Sequence, residues 1–122
     1  MYKFEKLEVY QLALQYTDMI YGLVENLPRI EESNLKSQIT RAATSIVLNI
    51  AEGSTSQSDT EQRRFLGMAV RSLIETVACQ QLILRRKYVP SEELQKAYEF
   101  SQSVFGKLQA MRRSLLRDRT EK

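Results

Sequence analysis

The sequence predicts an all-α protein, an up-down-up-down four-helix bundle in a single domain that spans residues 1–122. Three observations support this prediction. The chain contains only four glycines and two prolines, whereas a β-rich chain needs turn residues about every eight to twelve positions. Apolar residues recur at alternating intervals of three and four, which is typical of helices with one buried face. Short polar or proline-containing segments divide the chain into four such stretches.

The first helix is predicted over residues 5–26. Its apolar stripe follows the spacing of three and four, and Pro28 prevents the helix from continuing. The residues expected to face the core are Leu7, Tyr10, Leu14, Thr17, Tyr21 and Val24, with Ala13, Ile20 and Leu27 beside them.

The second helix is predicted over residues 35–52. Asn34 can cap its first turn, and Gly53 suits a left-handed backbone conformation after its last turn. Its apolar face consists of Leu35, Ile39, Ala42, Ala43, Ile46 and Ile50.

The third and fourth helices are predicted over residues 59–87 and 92–117. Ser58 and Glu61 form a capping-box pattern at the start of the third helix. Two neighbouring apolar stripes on that helix indicate contact with more than one partner. The fourth helix follows Pro90 and carries a regular seam of Leu94, Ala97, Ser101, Val104, Leu108, Met111 and Leu115.

Positive charge is concentrated in the second half of the chain, and the formal net charge is +3. If the third and fourth helices are antiparallel, arginines near the start of one lie beside arginines near the end of the other. Because guanidinium groups suit phosphate oxygens, we predict that nucleic acid is bound by Arg63, Arg64, Arg71, Arg85, Arg86, Lys87, Arg112, Arg113, Arg117 and Arg119. The alternative is that these cations only cover a solvated surface and a helix C-terminus.

The sequence offers little for catalysis. It contains no histidine, which excludes the commonest general base and the histidine-containing metal sites. Cys79, the only cysteine, lies on an apolar stripe and is interpreted as a core residue. We therefore expect no enzyme activity, no cofactor and no metal. We also expect a cytoplasmic protein that does not interact with membranes, because no leader sequence or membrane-spanning stretch is recognisable.

A polar series interrupts the second helix. Arg41, Ser45 and Glu52 share one face, and Arg41 lies about 16 Å from Glu52 along the axis, so each needs a partner elsewhere. Glu75 of the third helix is a candidate partner for Arg41. We predict a structural polar network of Arg41, Ser45, Asn49, Glu52 and Glu75. Ligand binding remains an alternative, and catalysis by a carboxylate is a weaker one because no base or nucleophile accompanies it.

Three segments carry a resemblance to a known family. They are LEVYQLAL at residues 7–14, LKSQITRAATSIVLNIAEG at 35–53 and RRFLGMAVRSLIET at 63–76. Together they resemble the small bacterial four helix bundle proteins, also known as 23S rRNA intervening-sequence proteins. These are related to the accessory variability determinant of diversity-generating retroelements. Val47 stands where the family often has proline, so the second helix is expected to be straighter.

The resemblance implies a left-handed bundle that assembles into a homopentameric barrel with a basic surface. It also implies nucleic-acid binding beside a reverse transcriptase, as in the retroelement members. The residues that match the family signature are Arg41, Ser45, Asn49, Glu52 and Gly53. We therefore expect a non-enzymatic accessory protein that contacts the phosphate backbone of RNA or DNA with low sequence specificity. The alternative is a structural or protein-interaction module without affinity for nucleic acid.

Overall fold

The computed structural model describes the backbone of residues 1–120 and the side chains of residues 1–116. Four helices make up most of the chain: α1 (Glu8–Val24), α2 (Leu35–Gly53), α3 (Asp59–Arg86) and α4 (Ser91–Thr120). Two short 3-10 helices occupy Lys3–Lys6 and Arg29–Glu31. Residues 1–120 contain no strand. The predicted all-α four-helix fold is confirmed.

The helices are arranged as a square around one core. α2 and α4 each pack against both α1 and α3, so α1 and α3 lie on a diagonal. Neighbouring helices are antiparallel: Arg63 near the start of α3 contacts Arg112 near the end of α4. Likewise Lys107 of α4 forms an ion pair of 3.0 Å with Glu8 at the start of α1. This antiparallel order brings the two ends that carry most of the arginines together.

α1 buries part of the predicted face, including Ala13, Ile20 and Val24, but leaves two of the predicted core residues exposed. Its buried residues are Val9, Ala13, Tyr16, Ile20, Leu23 and Val24. Leu14 and Tyr21 of the predicted stripe are 36% and 52% exposed, so their assignment to the core is wrong. Both sets recur at helical spacing and the pattern does not distinguish them. Packing selects the observed face, because it places Tyr16 against two polar residues of α3.

The start of α2 is stabilised by Glu31 and not by the predicted Asn34 cap. Glu31 Oε1 accepts hydrogen bonds from the Leu35 N–H at 3.5 Å and from Asn34 Nδ2 at 3.0 Å. The Tyr88 hydroxyl donates to Glu31 Oε2 at 2.9 Å. The bond from Tyr88, together with those from Asn34 and Leu35, holds the pKa of Glu31 below its ordinary value although burial opposes this. Asn34 fails as a cap because its own Oδ1 accepts from Gln38 Nε2.

Gly53 is the last residue of α2 and does not adopt the predicted left-handed conformation. None of the four glycines has a positive φ. Ser54 continues the right-handed backbone, and its N–H binds the carbonyl oxygens of Ile50 and Ala51. Glycine is needed here for another reason: a Cβ at this position would lie 3.0 Å from Phe65 Cβ. Gly53 therefore allows the end of α2 to approach the start of α3 closely.

α3 begins with a side-chain cap and ends with a left-handed residue. Ser58 Oγ accepts from the Glu61 N–H at 3.2 Å, which confirms the serine half of the predicted capping box. At the other end Lys87 has φ 59°. The Lys87 and Tyr88 N–H groups bind the carbonyl oxygens of Leu84 and Ile83, so the last turn is closed without a glycine.

The apolar faces predicted for α2 and α4 are largely confirmed. All six predicted residues of α2 are buried, and so are Leu94, Ala97, Ser101, Val104 and Leu108 of α4. Met111 and Leu115, one and two turns further on, are partly buried against the same core. The apolar residues of the α4 seam are therefore less buried toward the C-terminal end of the helix, where its arginines lie.

A buried chain of hydrogen bonds connects α1 and α3 across the core. Gln80 Nε2 donates to the Tyr16 hydroxyl at 2.7 Å, and that hydroxyl lies 2.7 Å from Thr76 Oγ1. Thr76 in turn donates to the Leu73 carbonyl oxygen at 2.6 Å, so Tyr16 must be the donor to Thr76. Burial raises the pKa of Tyr16 to about 12. These bonds fix the position of α1 along the bundle axis relative to α3, although the two helices do not pack side by side.

Candidate nucleic-acid interface

An open pocket of about 720 Å³ lies between the first half of α3 and the end of α4. We call it the arginine pocket. Four of its eight lining residues are arginines, and none is acidic. In the part of the chain with described side chains, it is lined by Thr60, Arg63, Arg64, Gly67, Met68, Val70, Arg71 and Arg112. The α3 residues share a face because they follow one another at about one helical turn.

Arg112 is the most constrained cation of the pocket. Its Nη1 donates to Gln109 Oε1 at 3.0 Å, and its backbone carbonyl accepts from Arg63 Nε at 3.3 Å. Its Nε is buried and has no hydrogen-bond partner among the described residues. Burial, together with the nearby charge of Arg63, lowers the pKa of Arg112. A buried donor without an acceptor is costly, and this cost is borne by the arginine that also lines the pocket.

The other pocket arginines are more accessible. Arg63 is half-buried against α4, whereas Arg64 and Arg71 are exposed. The Arg64 guanidinium lies 5.0 Å from the centre of the Phe65 ring, where a cation–π contact restrains it. The two ion pairs found among the described residues join Lys36 to Glu32 and Lys107 to Glu8. Within the described side chains, none of the pocket arginines takes part in an ion pair.

Gly67 forms part of the pocket wall. A Cβ at this position would lie 3.4 Å from Arg112 Nη2 and 3.6 Å from Arg112 Cζ. The absence of a side chain therefore leaves room for the Arg112 guanidinium against α3. Gly67 is not among the predicted site residues, although an isolated glycine inside a helical pattern is a recognised sign of close packing or function.

The structure unites only part of the predicted arginine set. Arg113 is exposed and does not line the pocket. Arg85, Arg86 and Lys87 are exposed at the other end of α3, about 33 Å from Arg63 at 1.5 Å per residue. The prediction for Arg117 and Arg119 lies outside the described side chains.

The predicted polar network on α2 is only partly assembled. Asn49 Nδ2 donates to the carbonyl oxygen and to the Oγ of Ser45, and Ser72 of α3 donates to the same Oγ at 2.9 Å. Arg41 donates to Ser37 Oγ instead of pairing with Glu75. Arg41 and Glu75 are exposed on opposite walls of a small pocket of about 360 Å³ above Ser45.

Glu52 contributes to the end of α2 through its backbone. Its side chain is exposed, and its carbonyl oxygen accepts from the N–H and the hydroxyl of Thr55. The turn after α2 is therefore closed by Ser54 and Thr55, whose hydroxyls donate to backbone carbonyls, and not by Asn49 or Glu52 side chains. The two carboxylates predicted for the network, Glu52 and Glu75, both face solvent.

The described residues contain no cluster of three or more His, Cys, Asp or Glu side chains that could hold a metal ion. Cys79 is buried, and burial raises the pKa of its thiol. No helix within residues 1–120 has the length and apolarity to cross a bilayer.

Comparison with known proteins identifies the family. The sequence model of the 23S rRNA-intervening sequence proteins matches residues 5–110. The chain belongs to this family. A similar solved structure is that of a protein of unknown function from the S23 ribosomal protein family of Bacteroides thetaiotaomicron. It shares 25% identity and a TM-score of 0.76, over 84% of this chain and 96% of that chain. A search of curated proteins found no match.

This 23S rRNA-intervening sequence protein has Val47 in α2 where the family often has proline. α2 continues without interruption through this position, and Val47 is partly buried against the core. Valine supplies the N–H that a proline would lack, so the helical hydrogen-bond pattern needs no break here.

Proposed function

We propose that this member of the 23S rRNA-intervening sequence family is a non-enzymatic, cytoplasmic accessory protein that binds RNA or DNA through the phosphate backbone. The observation that carries the proposal is the arginine pocket, in which four arginines from two helices line one open volume and no acidic residue with a described side chain lines it. Arginine binds phosphate oxygens through charge-assisted and often bidentate hydrogen bonds. A cluster of this kind attracts polyanions whatever their sequence.

The composition of the pocket supports low sequence specificity. No aromatic side chain lines it as the described residues define it, so stacking of bases is not supported. Its remaining walls consist of Thr60, Gly67, Met68 and Val70. Contacts with phosphates position a nucleic acid but carry no sequence information.

The proposal is tested with a pair of variants that have equal charge. Arg64 and Arg71 are exposed and line the pocket, so Arg64→Gln with Arg71→Gln removes two charges without opening the core. Lys3→Gln with Lys96→Gln removes two exposed charges elsewhere. In fluorescence anisotropy with a labelled duplex, we expect the pocket pair to weaken binding by at least about tenfold. The lysine pair should weaken it far less. Equal losses would refute the pocket as the binding site.

A second candidate function is protein interaction, and exposed apolar residues favour it. Ile74 and Leu82 of α3 are 53% and 49% exposed, and Leu48 of α2 is 55% exposed. Ile74 and Leu82 lie two turns apart on one face, with the exposed Ala78 between them. We propose that further copies of this chain cover this strip, in the homopentamer that the resemblance implies.

Light scattering tests the assembly. Ile74→Glu with Leu82→Glu should shift a wild-type oligomer toward the monomer, because it places charges in the strip. A wild-type monomer would refute the assembly. A pentamer that has no affinity for nucleic acid would favour the structural module over the accessory protein.

The proposed protein partner is a reverse transcriptase of the retroelement type, supported by the resemblance of the chain to the accessory variability determinant. Immobilised wild-type protein should retain such an enzyme with and without nuclease treatment. Retention that disappears after nuclease treatment would show a link through nucleic acid only, and no retention would refute the partnership.

A further inference from the structure

The arginine pocket holds more positive charge than one internal phosphodiester requires. A phosphodiester carries a single negative charge, whereas Arg63, Arg64, Arg71 and Arg112 face the same volume. A terminal phosphomonoester carries about −1.5 to −2 charges near neutral pH, and its three free oxygens are strong acceptors. The pocket volume of about 720 Å³ falls within the range of small-molecule sites. The charge suits a terminal phosphate group, and the volume leaves room for the nucleotide that carries it.

The arrangement of Arg112 indicates a preformed anion site. Gln109 holds its guanidinium in place, and the Arg112 carbonyl oxygen holds the Arg63 side chain beside it. The buried Nε of Arg112 has no acceptor among the described residues. Arg63 brings a second positive charge close to it, and the two charges repel each other. An anion in the pocket would offset this repulsion by binding the accessible end of the Arg112 guanidinium. Gly67 keeps the wall next to this guanidinium free of a side chain.

We infer that the arginine pocket binds a terminal phosphomonoester, either at the end of a nucleic-acid strand or on a free nucleotide. This inference rests on the part of the proposed function that assigns phosphate binding to the arginine pocket, and it names the kind of phosphate group that the pocket takes. The phosphate accepts hydrogen bonds from Arg112 at the back of the pocket and from Arg64 and Arg71 at its open side. The rest of a strand extends over the exposed surface beyond these two residues.

The test compares strands that differ only in their ends. One labelled oligonucleotide is prepared with a 5′-phosphate, with a 3′-phosphate, with hydroxyl groups at both ends, and as a circle. A hydroxyl-ended strand that is two nucleotides longer matches the total charge of the phosphorylated strands. We expect a phosphorylated end to bind about tenfold more tightly than this longer strand, which corresponds to about 1.4 kcal/mol.

Two variants test whether the arginine pocket is responsible for the preference for phosphorylated strand ends. Gly67→Leu fills the pocket without changing its charge, and Arg71→Gln removes an exposed cation from its rim. Both should abolish the preference for phosphorylated ends. The matched controls are Gly106→Leu, at a position with nothing within 4 Å of an added Cβ, and Lys96→Gln on exposed α4 surface. Both controls should keep the preference. Circular dichroism verifies that each variant is folded. If Gly67→Leu does not fold, the result for Arg71→Gln alone decides the test.

The outcomes separate this inference from the proposed function. Equal binding of all strands, including the circle, would overturn the inference and leave backbone binding intact. A free nucleoside monophosphate that competes as well as the phosphorylated strand supports the pocket chemistry and assigns the site to free nucleotides. If that nucleotide binds while no strand does, the proposed function fails and the inference stands. If neither binds, both are overturned.

Discussion

The buried hydroxyl of Tyr16 should contribute measurably to stability, and Tyr16→Phe removes it. In the wild-type protein this hydroxyl accepts from Gln80 and donates to Thr76, which keeps its own bond to Leu73. The substitution therefore leaves the Gln80 Nε2 donor buried without a partner. Gln80 Oε1 already has none among the described residues. A buried donor left without an acceptor costs about 1–3 kcal/mol, so we expect the free energy of unfolding to fall by about 2 kcal/mol.

Chemical denaturation followed by circular dichroism measures this change, at one fixed protein concentration because assembly would affect the midpoint. A second variant, Gln80→Leu, removes the stranded donor. Because replacing both partners of a buried pair by apolar groups is nearly neutral, the double variant should be more stable than Tyr16→Phe alone. A Tyr16→Phe protein within about 0.5 kcal/mol of wild type, or strictly additive effects in the double variant, would refute the reasoning.

The same residue predicts a loss of stability in alkali. Burial raises the pKa of Tyr16 from 10.0 in the unfolded chain to about 12 in the folded protein. Between these pH values the folded protein holds a proton that the unfolded chain has lost, so stability falls as pH rises. The full difference is worth about 3 kcal/mol. The stability of Tyr16→Phe should decline less over this range, and parallel curves for the two proteins would contradict the assignment.

The remaining predictions concern the two ends of α2 and a glycine of α4. The hydrogen bonds from Tyr88 and others lower the pKa of Glu31 in the folded protein. The ionised Glu31 therefore contributes to stability at neutral pH, and this contribution is lost as the pH falls below 4.5, the ordinary pKa of the group. In acid denaturation Glu31→Gln should therefore be less sensitive to pH, and an unchanged profile would contradict this. Gly106→Ala should stabilise α4 by up to about 1 kcal/mol, whereas Gly53→Ala should give no such gain because its Cβ meets Phe65 at 3.0 Å. Equal gains in thermal unfolding would refute the close approach.

The sequence predicted α2 and α4 better than α1 for a physical reason. In α2 and α4 a single set of apolar residues follows helical spacing, so only one face can be buried. In α1 two sets do, and the choice between Leu14 and Tyr16 depends on polar partners that lie 60 and more residues away in the chain. Gly53 illustrates the same limit: its position after a polar helix end suggested a turn, but its role is set by Phe65 on another helix.

In the candidate site, too, some features could be predicted from the sequence and others could not. Antiparallel helices of the predicted lengths place Arg63 beside Arg112, and the structure contains this contact. The part played by Gly67 and the missing acceptor for Arg112 depend on side-chain positions within the pocket, which no spacing rule supplies. Similarly, Arg41 and Glu75 have complementary charges on adjacent helices, yet each faces solvent and Arg41 binds its own helix.

The salt dependence of binding tests most directly whether the arginines of the pocket bind phosphate. Binding of duplex DNA is measured by anisotropy from about 50 to about 200 mM salt, and the logarithm of the association constant should fall linearly with the logarithm of salt concentration. The slope should decrease in magnitude by about 1 for each phosphate contact removed, as in Arg71→Gln. An affinity that does not change with salt, or a slope that Arg71→Gln leaves unaltered, would contradict phosphate binding by these arginines.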